Sequence, residues 1–319
     1  MQRILQPGDI EALDRTNPTR VRLPQPASLF AERAARLAQQ AEGNPIGDYL
    51  RFLAHLVRAQ QQAAANICTA APDAATIALA QQHSMPLLPA AQHLDPAWLG
   101  VLDQLLDAMH NAPELPPALL PVITQLRALD RPSREQLARR VLLGLLSEAD
   151  DLAAAPLVMA ALQVMFADRA SRLREADIPY TDPATICPVC ATAPVASVLR
   201  IGGQAAGLRY LHCGTCATEW HMVRVKCSHC ESTSGIHYQS LAQQQDMGRP
   251  TNESVLAETC DQCHHYRKLV NQEKDPLAEP LADDLATLLL DLLMSETEFA
   301  RASMNPLLPM TEAETTPQP

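Results

Sequence analysis

Aromatic residues make up only 3% of this 319-residue chain: four Phe, five Tyr and two Trp. A core of stacked rings is therefore excluded, and apolar packing must come from Leu, Ala, Val and Ile. Glycine is sparse as well, with 11 residues, and no Gly-rich phosphate loop follows a strand-like run. Basic residues number 25 against 36 acidic ones, for a net charge of -11. That deficit argues against a broad phosphate-binding surface and against an anionic membrane as partner. Long apolar runs are missing. The longest, residues 285–294, is interrupted by Asp291 and falls short of the roughly 18 residues a transmembrane helix needs. Residues 1–15 lack the apolar core of a secretory signal. The expectation is a soluble, cytoplasmic chain.

What is present is helix-forming. The chain is 47% hydrophobic, and Ala and Leu, the best helix formers, dominate that fraction. The length suits two or three domains. Residues 1 to about 27 read as irregular, with Pro7, Pro18, Pro24 and Pro26. From 27 to about 176 the pattern is helical. Asn44 and Pro45 signal a helix start, followed by Ile46, Tyr49, Leu50, Leu53, Leu56 and Val57 at helical spacing. Asp95 and Pro96 repeat the signal ahead of Trp98, Leu102, Leu105, Leu106 and Met109. Ser133 and Gln136 have capping-box spacing. Residues 152–168 add another Ala/Leu/Met helix, and no internal repeat is evident.

Composition changes near Ile178. Helical periodicity fades from 185 to about 274, and β-like runs occur at 195–200, 208–212 and 220–225. A last helix after Pro280 carries Leu281, Leu285, Leu288, Leu289, Leu292 and Leu293 on one face. The tail beyond Pro309 reads as disordered.

Eight of the nine cysteines form Cys-x-x-Cys pairs: Cys187/Cys190, Cys213/Cys216, Cys227/Cys230 and Cys260/Cys263. Two residues between thiolates let a tight turn aim both sulfurs at one metal, and two such turns complete a tetrahedral four-sulfur site. The gaps between pairs are 22, 10 and 29 residues. The short gap separates two units, so 187/190 joins 213/216 and 227/230 joins 260/263; crossed or nested pairings satisfy the same spacing less simply. Four such pairs in a chain without a signal sequence favour metal over disulfides or redox thiols. Four protein ligands leave no position for water or substrate, which argues against hydrolysis. Loss of metal is expected to unfold residues 185–274 while sparing the helices. The residue after each second cysteine is Ala191, Ala217, Glu231 or His264, where a rubredoxin-type turn usually has glycine. Iron and zinc both stay open. Cys68 is expected to be a buried thiol on a helix.

Five histidines, His212, His221, His229, His264 and His265, lie beside the cysteines and are read as supporting or surface residues, since eight sulfurs are available. The run 218–226 joins the two units. It reads either as a bridging strand with Trp220 packed between them or as a recognition surface. Asp283 and Asp284 read as favourable charge at a helix N-terminus. Residues 185–275 hold eight basic and eight acidic residues, without the basic stripe of a nucleic-acid surface.

At these residues the sequence resembles the FdhE family of formate dehydrogenase accessory proteins. The similarity is densest in Leu211-His212-Cys213, Thr218-Glu219-Trp220-His221 and Arg224-Val225-Lys226-Cys227 through Cys230. It continues through Glu258, Cys260, Cys263, Tyr266, Gln272-Glu273-Lys274-Asp275-Pro276, Ala282-Asp283-Asp284-Leu285-Ala286 and Asn305-Pro306. Leu23-Pro24, Leu29-Phe30-Ala31, Arg33 and Tyr49-Leu50-Arg51-Phe52-Leu53 carry it in the N-terminal half. The resemblance implies a cytoplasmic, non-enzymatic factor that acts on the catalytic subunit of respiratory formate dehydrogenase before twin-arginine export. It implies two metal ions in rubredoxin-like sites, iron favoured and zinc the alternative. It also raises a partner-binding role for Thr218, Glu219, Trp220, His221, Arg224 and Lys226. The expected fold is α+β: a helical domain (1–180), two tandem four-cysteine rubredoxin-like or zinc-ribbon units (181–225 and 226–275), and a C-terminal helix with tail (276–319). An electron carrier and a zinc-ribbon nucleic-acid module stay open as other readings.

Overall fold

Residues 19–112, 116–240 and 254–308 are described by the structure, a computed structural model. The segment with Pro7 and Pro18, and the tail expected beyond Pro309, lie outside these residues. Among the described residues the N-terminal half folds into α1 (Pro26–Gln40), α2 (Gly47–Ala64), α3 (Ala74–Gln82), α4 (Ala97–His110), α5 (Leu119–Ala128), α6 (Arg131–Leu143) and α7 (Ala149–Ser171). Helix α1 starts on Pro26 and buries Phe30, Arg33, Ala34 and Leu37, which recur once per turn. Helix α7 is the hub, packed by α2, α4, α5 and α6. Its Ala-rich surface lets these neighbours approach closely. Contrary to the expectation that 285–294 is the longest apolar run, part of α7, Asp151–Ser171, is longer and has the length and apolarity to cross a membrane, yet 83% of its most apolar window is buried among the other elements. Mixed small and large apolar residues there fill a protein core.

Helix starts differ in detail from the sequence expectation. Ser133 lies inside α6, and Asp130 caps it by accepting from Ser133 N at 3.0 Å. Asn44 Oδ1 accepts from Ile46 N at 3.1 Å in the turn before α2, so it holds the entry and Ile46 is the cap residue. Cys68 is exposed in the loop after α2 and is not a buried helical thiol.

The C-terminal half contains β2 (Pro194–Leu199), β3 (Arg209–Cys213), β4 (Glu219–His221), β5 (Ile236–Gln239), β6 (Val255–Cys260), β7 (His265–Asn271) and β8 (Ala300–Arg301). With β1 (Val21–Arg22) they form one sheet in the order β1-β4-β3-β2-β7-β6-β5, with β8 on β7. The two cysteine units are therefore joined. Each is knuckle, strand, strand, knuckle, strand: Cys187/Cys190, β2, β3, Cys213/Cys216, β4, then Cys227/Cys230, β5, β6, Cys260/Cys263, β7. The expected tandem four-cysteine units are thus present, and the shared order of their strands is what the cysteine spacing alone does not give. The halves meet along a parallel β2–β7 pair, Ser197 to Leu269, Val198 to Val270 and Leu199 to Asn271. Buried Arg209 on β3 adds an ion pair to Glu258 on β6 at 2.5 Å.

The last helix is broken into α8 (Pro280–Ala286) and α9 (Leu288–Ser295). At the break Thr287 has φ -113° and ψ 35°, and its hydroxyl donates to Asp283 O at 2.7 Å. Leu290 and Met294 are buried while Leu289, Leu292 and Leu293 are exposed, so the single apolar face expected from spacing does not form. Helix α8 is a wedge between α1 and strands β2 and β7. Its adjacent carboxylates face opposite ways. Asp283 pairs with Arg36 of α1, and Asp284 pairs with Arg301 and Lys268 of the sheet. Both are fully buried and act as interdomain ion-pair partners, and Asp283 keeps the helix-start role as well, accepting from Glu279 N at 2.7 Å in the first turn.

Candidate metal centres

The four cysteine turns share one backbone design. The N–H of the residue after each second cysteine donates to the carbonyl of the first: Ala191 to Cys187 at 3.0 Å, Ala217 to Cys213 at 3.0 Å, Glu231 to Cys227 at 3.2 Å and His264 to Cys260 at 2.9 Å. All four residues sit in the left-handed region, at φ 67°, 56°, 63° and 51°. The glycine geometry is thus kept without glycine, because closing the turn requires that φ. Inside the turns, Thr215 and Cys216 N–H groups point at Cys213 Sγ at 3.4 and 3.3 Å. His229 and Cys230 N–H groups point at Cys227 Sγ at 3.4 and 3.5 Å.

The sulfurs gather as Cys187, Cys190, Cys213 and Cys216 in one centre and Cys227, Cys230, Cys260 and Cys263 in the other, all within 4.8 Å of one another in each. Cys187–Cys216 and Cys190–Cys213 are 3.5 and 3.3 Å apart. Cys227–Cys263 and Cys230–Cys260 are both 3.8 Å apart. A tetrahedral metal with sulfur bonds of about 2.3 Å sets its sulfurs about 3.8 Å apart, whereas a disulfide needs about 2.0 Å. The donor set and spacing fit a metal ion in each centre, and thiolates of this kind suit zinc or iron. Burial pushes the Cys187, Cys216 and Cys227 thiols up. Burial alone would raise Cys230 too, but the Ser232 N–H and the neighbouring sulfurs outweigh it and bring it down. A metal must displace the thiol protons, so loading is favoured as pH rises.

The first centre also has hydroxyls that sequence reasoning did not single out as sulfur partners. Thr192 Oγ1 lies 3.1 Å from both Cys190 and Cys213 Sγ, and Thr218 Oγ1 lies 3.2 Å from Cys216 Sγ. Each threonine stands two residues after the second cysteine of its pair, which is the one signal that identifies them. Thr218 Oγ1 accepts from the Cys216 thiol, while in the Thr192 contacts either partner can donate. Once a metal holds the sulfurs as thiolates, a hydroxyl turned toward them would spread their charge.

These relations extend over nearly the whole chain. Family models match residues 18–182 (FdhE, N-terminal), 186–224 (FdhE, central domain) and 225–308 (FdhE, C-terminal domain). The FdhE homolog of Pseudomonas aeruginosa is 43% identical over 313 residues, covering 96% of this chain and 97% of that protein. Protein FdhE of Salmonella newport is 38% identical over 302 residues, covering 91% of each. The chain belongs to the FdhE family. A crystal structure of the FdhE protein from Pseudomonas aeruginosa superposes with a TM-score of 0.79 at 38% identity, covering 92% of this chain and 99% of that one.

The FdhE-like stretch 218–226 divides by environment. Thr218, Glu219 and Trp220 are buried. Glu219 is a hub: it receives Arg22 at 3.2 Å, Arg200 Nε at 2.9 Å and His212 Nδ1 at 2.9 Å. Burial alone would raise its carboxyl, but Arg200 and His212 outweigh that and hold it far below the usual range. Trp220 Nε1 donates to Ala184 O at 2.8 Å, and the ring packs with the helical core and the first centre, not between the two units. The half-buried His221 ring meets Tyr210 edge-on at 5.7 Å. Only 219–221 is strand; it lies between β1 and β3, so it does not bridge the units. Residues 223–226 form the turn into the second centre. There Val223, Arg224 and Val225 are exposed, and Lys226 pairs with Glu231. Of the neighbouring histidines, His229 and His265 stack at 4.1 Å beside the second centre, and His264 faces Glu298 at 3.3 Å.

Proposed function

We propose that this chain is an accessory factor, not an enzyme, that binds the catalytic subunit of respiratory formate dehydrogenase and assists its maturation or quality control before export. The observation that carries the reading is FdhE family membership along nearly the whole chain. The centres support it: each has four protein sulfurs and no position for substrate, so they brace a binding surface instead of performing hydrolysis. The eight paired cysteines are the ligands of two metal ions, iron at both centres by family resemblance, with units over 181–225 and 226–275 on a helical domain over 1–180. The factor works in the cytoplasm, without nucleic acid or membrane insertion. Of the six residues in the FdhE-like run, Arg224 and Lys226 are the ones to meet a partner, with exposed Val223 and Val225 between and beside them. Thr218, Glu219, Trp220 and His221 hold that turn in place from behind.

Affinity capture with the cofactor-free catalytic subunit tests this. Retention by the full chain, weakened at least ten-fold by a combined Arg224→Glu and Lys226→Glu change, is the expected result. No capture, together with normal formate dehydrogenase activity in a deletion strain, sinks it. Metal analysis with an absorption spectrum of anaerobically purified protein separates the metals: colour indicates iron, and two zinc per colourless chain indicates zinc. The solvent exposure of Cys230 favours one second reading, electron transfer through the second centre. A reversible spectral change on reduction and reoxidation is its signature.

A further inference from the structure

The two centres share ligands and turn geometry but not surroundings. In the first, all four cysteines are buried and belong to the same apolar cluster as α1, α2, α4 and α7. The helical half grips the knuckles directly. Leu87, Leu88 and Ala90 N–H groups donate to the Pro188, Val189 and Cys190 carbonyls at 3.0, 2.7 and 2.9 Å. Gln163 of α7 donates to Gly214 O, inside the second knuckle, at 2.7 Å. In the second centre, Cys230 is exposed and Cys263 half-buried. Ser232 stands where Thr192 and Thr218 stand in the first centre, yet its hydroxyl turns away to Ser234 O at 3.2 Å. Among the described residues, no cysteine of this centre joins an apolar cluster. The stacked rings of His229 and His265 flank it.

We propose that the second centre is a metal-exchange site, open to incoming thiol or imidazole ligands at Cys230 and Cys263, and that the first centre holds its metal permanently. Ligand substitution needs an incoming donor to reach the metal while a departing sulfur moves away. The second centre offers both, an open side and sulfurs that can swing into solvent. The first offers neither without opening the core. In each exchange step a metal–sulfur bond breaks as a bond to the incoming ligand forms. An incoming thiol gives up its proton as it binds and the released thiolate takes one up, whereas a neutral imidazole binds through its lone pair and the released thiolate is protonated from water; the metal keeps its oxidation state.

The proposal rests on the metal-binding part of the reading above and not on the partner. The test uses the full chain loaded with two zinc ions, mixed anaerobically with excess 4-(2-pyridylazo)resorcinol, with iodoacetamide trapping of freed thiols and mass mapping. One equivalent is expected to leave at least ten-fold faster than the other, with early alkylation on Cys230 and Cys263 and unchanged tryptophan fluorescence. Cys230→Ser should abolish the fast equivalent and keep the slow one. Release of both equivalents in one phase overturns the proposal, as does early alkylation of Cys187, Cys190, Cys213 or Cys216. Failure of the chain to take up two metals overturns the metal reading as well, whereas single-phase release after full uptake overturns the exchange site alone.

Discussion

Ala191, Ala217, Glu231 and His264 each occupy a left-handed backbone position that a side chain disfavours. That conformation costs a non-glycine residue about 1–2 kcal/mol, part of which glycine returns through its greater freedom when unfolded. Ala191 is the cleanest test, since Glu231 also binds Lys226 and Ala184 N. Ala191→Gly should raise stability by up to about 1 kcal/mol in urea denaturation, and a loss of stability would show that the turn is not strained. Glu219 gives a second prediction at this scale. Its folded carboxyl titrates below the ordinary value of 4.5. A lowered carboxyl stabilises the fold above its unfolded pKa, and that contribution disappears as pH falls through the folded value. Glu219→Gln leaves Arg200 and Arg22 without their buried counter-charge and should cost about 3–5 kcal/mol at pH 7. The gap between native and variant should narrow as pH drops below 4.5, and a gap independent of pH would exclude ionised Glu219 as its source.

Among the elements, α8 decides how the halves fit. It is seven residues long, too short to be stable alone, and is fixed by charges on both sides. Arg33 and Arg36 of α1 reach Glu279 and Asp283 at 2.8 and 2.5 Å, while Lys268 and Arg301 answer Asp284 from the sheet. Breaking one buried pair strands its partner. Arg36→Ala should therefore cost about 3–5 kcal/mol and raise proteolysis near Thr287 before it affects the β strands. Equal proteolysis in native and variant chains would contradict the wedge role. The helical spacing after Pro280 correctly signals helix. It does not signal the break at Thr287, where the hydroxyl donates back to Asp283 O, because the hydrophobic period runs on through that residue.

For the whole molecule, the first centre and the helical half share one apolar cluster. Removing both metals by denaturant-assisted chelation should thus lower the melting temperature of the entire chain and increase cleavage within α7, not merely within residues 185–274 as spacing alone suggests. Intact, protease-resistant helices after complete metal loss would restore the independent-domain view. The helical N-terminal half and the four Cys-x-x-Cys turns were legible in the chain, because they rest on 3.6-residue periodicity and local spacing, while the short middle gap only favoured the sulfur grouping that the fold forms. Long-range packing brings β1 into the C-terminal sheet, fuses two units into one through β2 and β7, and sets Asp283 against Arg36 across 247 residues. Pairings of that range leave no periodic trace in the chain. The tertiary structure also decided which centre is enclosed and which is open, since identical Cys-x-x-Cys turns take their exposure from whatever packs over them.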